Sequence, residues 1–126
     1  MIETISGWQL DVDRGPNWLF VKVRRPKEPT WDTPRLAERV WALLQEHFAD
    51  RLILDLDEIG FVTSSFLGQL ILLYKRIASH GGMMRLCGLS SQAQEVLHCC
   101  HLDQRFSCYP NREEAVMGSW HPRQPR

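Results

Sequence analysis

The chain has 126 residues, with 15 acidic and 15 basic side chains and no formal net charge. That length suits one domain around a single core, and the charge balance excludes the basic surplus of a nucleic-acid binder and any charge-driven membrane attachment. No apolar run approaches the roughly 18 residues of a membrane-spanning helix, so direct membrane insertion is not expected, and the polar, acidic opening Met1-Ile-Glu-Thr-Ile-Ser6 is unlike a signal peptide.

The first elements read as two strands. Trp8-Gln-Leu-Asp-Val12 alternates apolar and polar residues, as does part of Trp18-Leu-Phe-Val-Lys-Val-Arg24, and Arg14-Gly-Pro-Asn17 between them is turn material. An antiparallel hairpin follows. After the polar loop Pro26-Lys-Glu-Pro-Thr30, Asp32 or Thr33 is placed to cap a helix with Pro34 in its first turn. Leu36, Val40, Leu43, Leu44 and Phe48 recur at helical spacing and predict one inward face. Residues 52–56 are continuous and apolar, as in a strand covered on both faces.

Next comes Gly60-Phe-Val-Thr-Ser-Ser-Phe-Leu-Gly68, which opens a helix running from about Ser64 to Ser79. Small hydroxyl residues thus stand where a buried strand hands over to a helix. Such a junction presents unpaired backbone N–H groups and the positive end of the helix dipole. Thr63, Ser64 and Ser65 are more hydroxyls than a cap requires, and a phosphate added there would meet a favourable field. The bland reading of Ser64 is a helix cap, worth about 1 kcal/mol.

Gly81-Gly82 is a stop for this helix, and Met83-Met-Arg-Leu-Cys87 is the next strand. Ser90 or Ser91 caps a third helix, with Ser91 and Gln94 at capping-box spacing and Val96, Leu97 and Cys100 on its apolar side. A short strand near Phe106-Ser-Cys-Tyr109 precedes a capped turn or two over Asn111–Val116. The expected architecture is α/β: a mixed β-sheet of about five strands with about four helices, an N-terminal antiparallel hairpin followed by βα units, and one face covered more fully than the other. Residues 1–117 are expected to form the domain and 118–126 a mobile tail with two prolines.

Four cysteines, two of them adjacent and none in C-x-x-C spacing, suit a reducing cytoplasm rather than a disulfide framework. Cys87 and Cys108 are expected in strands as small buried hydrophobes. His98-Cys-Cys-His101 has two histidines three apart, but adjacent Cys99 and Cys100 point different ways and no second ligand pair is evident. No metal and no cofactor are expected. His101 falls at the helix exit. Asp55, Asp57 and Glu58 cluster after a strand, where carboxylates are usually solvated; with no phosphate-binding glycine loop and no nucleophile elbow, the chain does not read as an enzyme. Trp8, Trp18 and Trp41 fit core or sheet positions, whereas Trp31 in the loop before the first helix is a candidate partner anchor.

This order of elements resembles a STAS domain, the family named for sulfate transporters and anti-sigma-factor antagonists, from about Trp18 to Val116. The motif Phe61-Val-Thr-Ser-Ser-Phe-Leu-Gly68 followed by Tyr74-Lys-Arg76 is similar to the antagonists' Phe-x-Asp-Ser-Ser/Ala-Gly-Leu-Gly and the helix after it. Gly81-Gly82, Arg85–Ser90, Glu95–Leu97, Leu102-Asp103, Phe106 and Arg112–Val116 continue the likeness. The resemblance implies a cytoplasmic partner switch without enzymatic activity. It binds an anti-sigma factor of serine-kinase type, is phosphorylated at Ser64 and so released, and is reset by a phosphatase. Thr63 is the second phosphorylation candidate, since some stressosome relatives carry the phosphate on threonine. Thr63, Ser64, Ser65, Phe66, Gly68 and Trp31 would form the partner surface, with Phe66 setting partner choice. Thr63 replaces the motif's Asp, Phe66 its first Gly, and Pro26-Lys-Glu-Pro29 its usual Gly-x-Leu-Asp run. Two other roles stay open: docking on the ATPase of a membrane lipid-transport complex, or a stressosome-like scaffold. A homodimer is also left open.

Overall fold

The structure is a computed structural model that describes residues 2–27 and 33–118. It is a mixed α/β fold with one six-stranded sheet in the order β1-β2-β3-β4-β5-β6. The strands are β1 (Ile2–Ile5), β2 (Trp8–Arg14), β3 (Leu19–Arg24), β4 (Arg51–Asp55), β5 (Met83–Cys87) and β6 (Ser107–Tyr109). The helices are α1 (Leu36–Glu46), α2 (Ser64–Ser79), α3 (Ser91–Cys99) and α4 (Arg112–Val116). β1 to β3 pair antiparallel and β3 to β6 pair parallel.

The strand β1 is an addition to the expected sheet. Its sequence is short and half polar, with little strand signal of its own. What makes it a strand is the two-residue turn Ser6-Gly7, where φ is 50° and 84°. Two successive positive φ values suit the twist of a tight hairpin, and Ile5 then pairs with Trp8. Arg39 of α1 fastens the strand from the helix side through Glu3.

The first helix departs from its expected start. It begins at Leu36, with Arg35 at the N-cap and no side-chain cap. Pro34 lies outside it, and Asp32 lies outside the described residues. The missing cap is supplied from elsewhere: Gln69 Oε1 of α2 accepts the Ala37 N–H at 2.9 Å. Its far end departs too. Phe48 does not continue the buried stripe of Leu36, Val40, Leu43 and Leu44; it lies past the helix end at φ 52° and is 93% exposed. The left-handed turn swings the side chain off the inward face.

Strand β4 sits in the middle of the sheet, between parallel neighbours, with Leu52, Ile53 and Leu54 fully buried. Leu52 and Leu54 join the large core formed with α1, α2 and α3. Ile53 faces the other way, into a smaller cluster with Trp18, Cys87 and Ala115 of α4. One face therefore carries three helices and the other carries α4, so one face is covered more fully than the other, as expected. Two arginines hold α4 down. Arg85 Nη1 donates to the Ala115 carbonyl at 2.6 Å, and Arg112 reaches Asp13 at 3.1 Å and Asp55 at 3.3 Å. Asp55 is buried rather than solvated as expected, and it also accepts the Asp57 N–H. Gly118 is buried against Tyr109, and residues 119–126 lie outside the described residues.

In α3 the cap is Ser90, whose Oγ accepts the Ala93 N–H at 3.1 Å. Ser91 does not form the capping box, because Gln94 Nε2 donates instead to the Leu89 carbonyl. Cys100, expected on the apolar side of α3, is exposed, as is Cys99. Asn111 caps α4 through the Glu114 N–H at 2.9 Å, as read from the sequence.

Burial pushes the Cys87 thiol up to about 12, with the Asp55 carboxylate adding to the effect. The unfolded thiol ionises near its ordinary value of about 8.5, so above that pH the unfolded chain holds fewer protons and this group's contribution to stability falls as pH rises toward 12. In the native protein at pH 8, a thiol-specific dye should label Cys99 and Cys100 rapidly and Cys87 only on unfolding. Mass mapping of the labelled cysteines with and without urea checks this.

Candidate functional site

The junction between β4 and α2 is built by a turn and by hydrogen bonds that reach it from two sides. After Asp55, the chain turns with the Leu56 N–H bonded to the Cys87 carbonyl at 2.9 Å and the Ile59 N–H to the Leu56 carbonyl at 3.0 Å. Gly88 makes room for this turn. At φ 73° it takes a conformation that other residues avoid, and a Cβ there would lie 2.7 Å from the Asp57 Cβ. The loop is then pinned to the start of α3. Ser90 Oγ donates to the Gly60 carbonyl at 2.7 Å, and Gln92 Oε1 accepts the Val62 N–H at 2.9 Å. From the other side, Arg25 Nη2 donates to the Phe61 carbonyl at 2.5 Å.

Helix α2 begins on that fixed loop. Thr63 is its N-cap in extended conformation, and its Oγ1 accepts the Phe66 N–H at 3.1 Å. The hydroxyl that caps is therefore that of Thr63, not Ser64. Ser64 and Ser65 occupy the first turn with exposed side chains, and that turn holds no acidic residue. Gly68, one turn on, is half-buried, and a Cβ there would meet nothing within 4 Å. The two serines and Gly68 make a low, uncharged surface over the positive end of the helix.

Phe66 is not part of that surface. It is 0% exposed and stacks on Trp8 of β2, with ring centroids 5.7 Å apart and planes 13° apart. The expectation that it meets a partner is corrected: with Leu67, Leu70, Leu73 and Ile77 it belongs to the inward stripe of α2. Trp31, the other aromatic proposed from sequence, lies outside the described residues.

The aromatic at the surface is Phe61, which is 51% exposed. The Arg25 guanidinium lies 4.3 Å from its ring centroid and 5.4 Å from that of Trp8. Burial pushes the Arg25 guanidinium below its usual value, though an arginine stays charged at neutral pH. A cation stacked on two rings and bonded to a loop carbonyl fixes the loop that presents Ser64. Arg25 follows the last residue of β3, just before a proline, and Phe61 opens the motif; neither position singles itself out without the fold.

The carboxylates beside this junction are paired. Lys22 Nζ lies 3.1 Å from Asp57 and 3.5 Å from Glu58, and Arg24 lies 3.6 Å from Glu58 and 3.6 Å from Asp11. The hydrogen bond to Asp57 is the main cause raising Lys22 above its ordinary value. At the far end of α3, His98 Nδ1 lies 2.9 Å from Asp103. His101 occupies the helix exit at φ 59°, as expected from its place in the sequence. Among the described residues, no group of three or more His, Cys, Asp or Glu side chains is arranged to hold a metal, and no helix is long and apolar enough to cross a membrane.

The STAS domain family matches residues 32–115, more than half of the chain. The chain belongs to that family. No curated protein matches the sequence. Among solved structures, this STAS domain is similar to an anti-sigma factor antagonist from Mycobacterium paratuberculosis, with a TM-score of 0.73 and 19% identity over 90% of this chain and 95% of that one. It is similar to an anti-sigma-factor antagonist (STAS) domain protein from Planctomyces limnophilus, at 0.68 and 22% over 89% and 98%. A chain of the stressosome, described as a signal integration and transduction hub, scores 0.70 at 16% identity over 86% and 94%. At such identities the likeness is one of fold.

Two substitutions separate the capping hydroxyl of this STAS domain from the free one. Thr63→Ala should lower unfolding stability by about 1 kcal/mol through loss of the cap, whereas Ser64→Ala should change it by less than about 0.5 kcal/mol. Phe66→Ala should lower it by about 3–5 kcal/mol, as a core truncation does. Urea denaturation of the variants checks all of these.

Proposed function

We propose that the protein is a non-enzymatic partner switch in the cytoplasm: an anti-sigma-factor antagonist that binds a serine-kinase-type anti-sigma factor and is released when that kinase phosphorylates Ser64. The observation that carries this reading is the division of labour between two neighbouring hydroxyls. Thr63 Oγ1 is engaged by the Phe66 N–H, while the Ser64 side chain is exposed at the head of a sixteen-residue helix. Phosphoryl transfer from ATP to Ser64 Oγ therefore leaves the cap intact. The same transfer to Thr63 would fall on the oxygen that already holds the Phe66 N–H, which ranks Thr63 second. Membership of the STAS family and the fold shared with anti-sigma factor antagonists support the reading.

The switch is an opposition of local and interfacial energies. A dianion at the first turn interacts favourably with the helix dipole and with exposed N–H groups. At an interface built over neutral hydroxyls, the same dianion must be desolvated and is repelled by partner carboxylates. Binding is lost while the helix stays formed. Thr63, Ser65 and Gly68 border Ser64, and Phe61 supplies the apolar contact first assigned to Phe66. A phosphatase that removes the phosphate restores the neutral surface.

Ser64→Asp should weaken binding of the kinase-type partner at least tenfold, and Ser64→Ala should retain it. Pull-down from the source cell's extract with wild type, Ser64→Ala and Ser64→Asp as baits, followed by mass spectrometry, reads the outcome. Equal retention of the same proteins by Ser64→Ala and Ser64→Asp would sink the phosphoswitch. Recovery of a transporter ATPase in place of a kinase-like protein would reassign the partner.

A further inference from the structure

The fold penalises Phe48 twice. It stands just past α1 at φ 52°, a conformation that glycine takes without strain and a bulky side chain avoids. The turn it forms is an ordinary helix end, with the Ala49 N–H bonded to the Leu44 carbonyl at 2.9 Å, so glycine would serve there. The ring is also 93% exposed, so it adds nothing to the core. It stands between two clefts. One, of about 450 Å³, is lined by Trp41, Leu44, Ile77 and His80. The other, of about 310 Å³, is lined by Arg14, Trp18 and Arg51.

The charges around the ring point to its occupant. The Arg51 guanidinium lies 5.7 Å over the Trp18 ring, and neither it nor Arg14 is ion-paired to a carboxylate among the described residues. Among the described residues, Asp50 is the one carboxylate lining both clefts. An exposed phenylalanine flanked by unpaired arginines has residue types enriched at protein interfaces. A second copy seated by a two-fold axis would bring this patch against itself and face arginine with arginine. A complementary surface carries carboxylates around an apolar pocket.

We propose that Phe48, Arg14 and Arg51 form a second docking site, for a protein with an acidic surface around an apolar pocket. It is separate from the Ser64 surface. Phe48 precedes the start of β4 and α2 follows its end, and a five-residue strand spans about 16 Å. The chain thus carries two docking ends, of which only one is exposed to the phosphoswitch.

The test places the photocrosslinking residue p-benzoylphenylalanine at position 48 of the full chain in the source cell and maps the adducts by mass spectrometry. The expected result is a discrete heteromeric adduct through an acidic segment, reduced at least tenfold by Arg14→Glu with Arg51→Glu and unchanged by Ser64→Asp. An adduct at twice the chain's mass, one to lipid or to a neutral or basic segment, one indifferent to the charge reversal, or no discrete adduct would each overturn the proposal. Loss of the adduct with Ser64→Asp would overturn the separation of the two ends. Phe48→Gly serves as a folding control. Its melting temperature should equal or exceed that of the wild type, and a marked fall would show that Phe48 serves the fold instead.

Discussion

The stack of Phe66 on Trp8 fixes where α2 begins and which way it faces. A helix turns by about 100° per residue, so seating Phe66 against the sheet commits its neighbours. Leu70, Leu73 and Ile77 follow it into the core, and Ser64 and Ser65 are turned to solvent. The aromatic pair contributes roughly 0.5–1.5 kcal/mol beyond its area burial. Its larger effect is geometric, because it ties the first turn of the helix to β2, a strand distant in sequence. The serines are displayed as a consequence of what lies beneath them.

The loop before the helix is held with comparable economy. Its three carbonyl and amide contacts come from Arg25, Ser90 and Gln92, on elements that approach from opposite sides. A loop with fixed ends presents a hydroxyl at a defined height, so a modification there changes charge without having to change shape. The paired charges alongside, from Asp11 through Arg24 and Glu58 to Lys22, are half-exposed and add little stability. Their pairing leaves the neighbourhood close to neutral, which makes an added phosphate the dominant local charge.

Much of this was legible in the residues. The parallel half of the sheet follows from strands and helices alternating between residues 51 and 109, and α2 follows from its apolar spacing and its cap. Three of the misreadings have distinct causes. β1 has too few apolar residues to signal a strand; it exists because a tight turn delivers it to β2 and Arg39 clamps it. Phe48 keeps helical spacing beyond the last helical residue, and spacing carries no record of a backbone that has turned left-handed. Phe66 was judged by the glycine it replaces. Its own spacing to Leu70, Leu73 and Ile77 already placed it inside. Arg25 and Phe61 could not be read, since they lie 36 residues apart and meet only in the fold.

The two margins of the sheet carry a further consequence. β1 has four residues and β6 has three, and Glu3 of β1 is drawn toward α1 by Arg39. Strands this short offer little backbone for another chain to extend the sheet, which is how many domains capture peptides and how sheets aggregate. Edge-to-edge pairing between copies therefore has little backbone to form on at either margin of the described sheet.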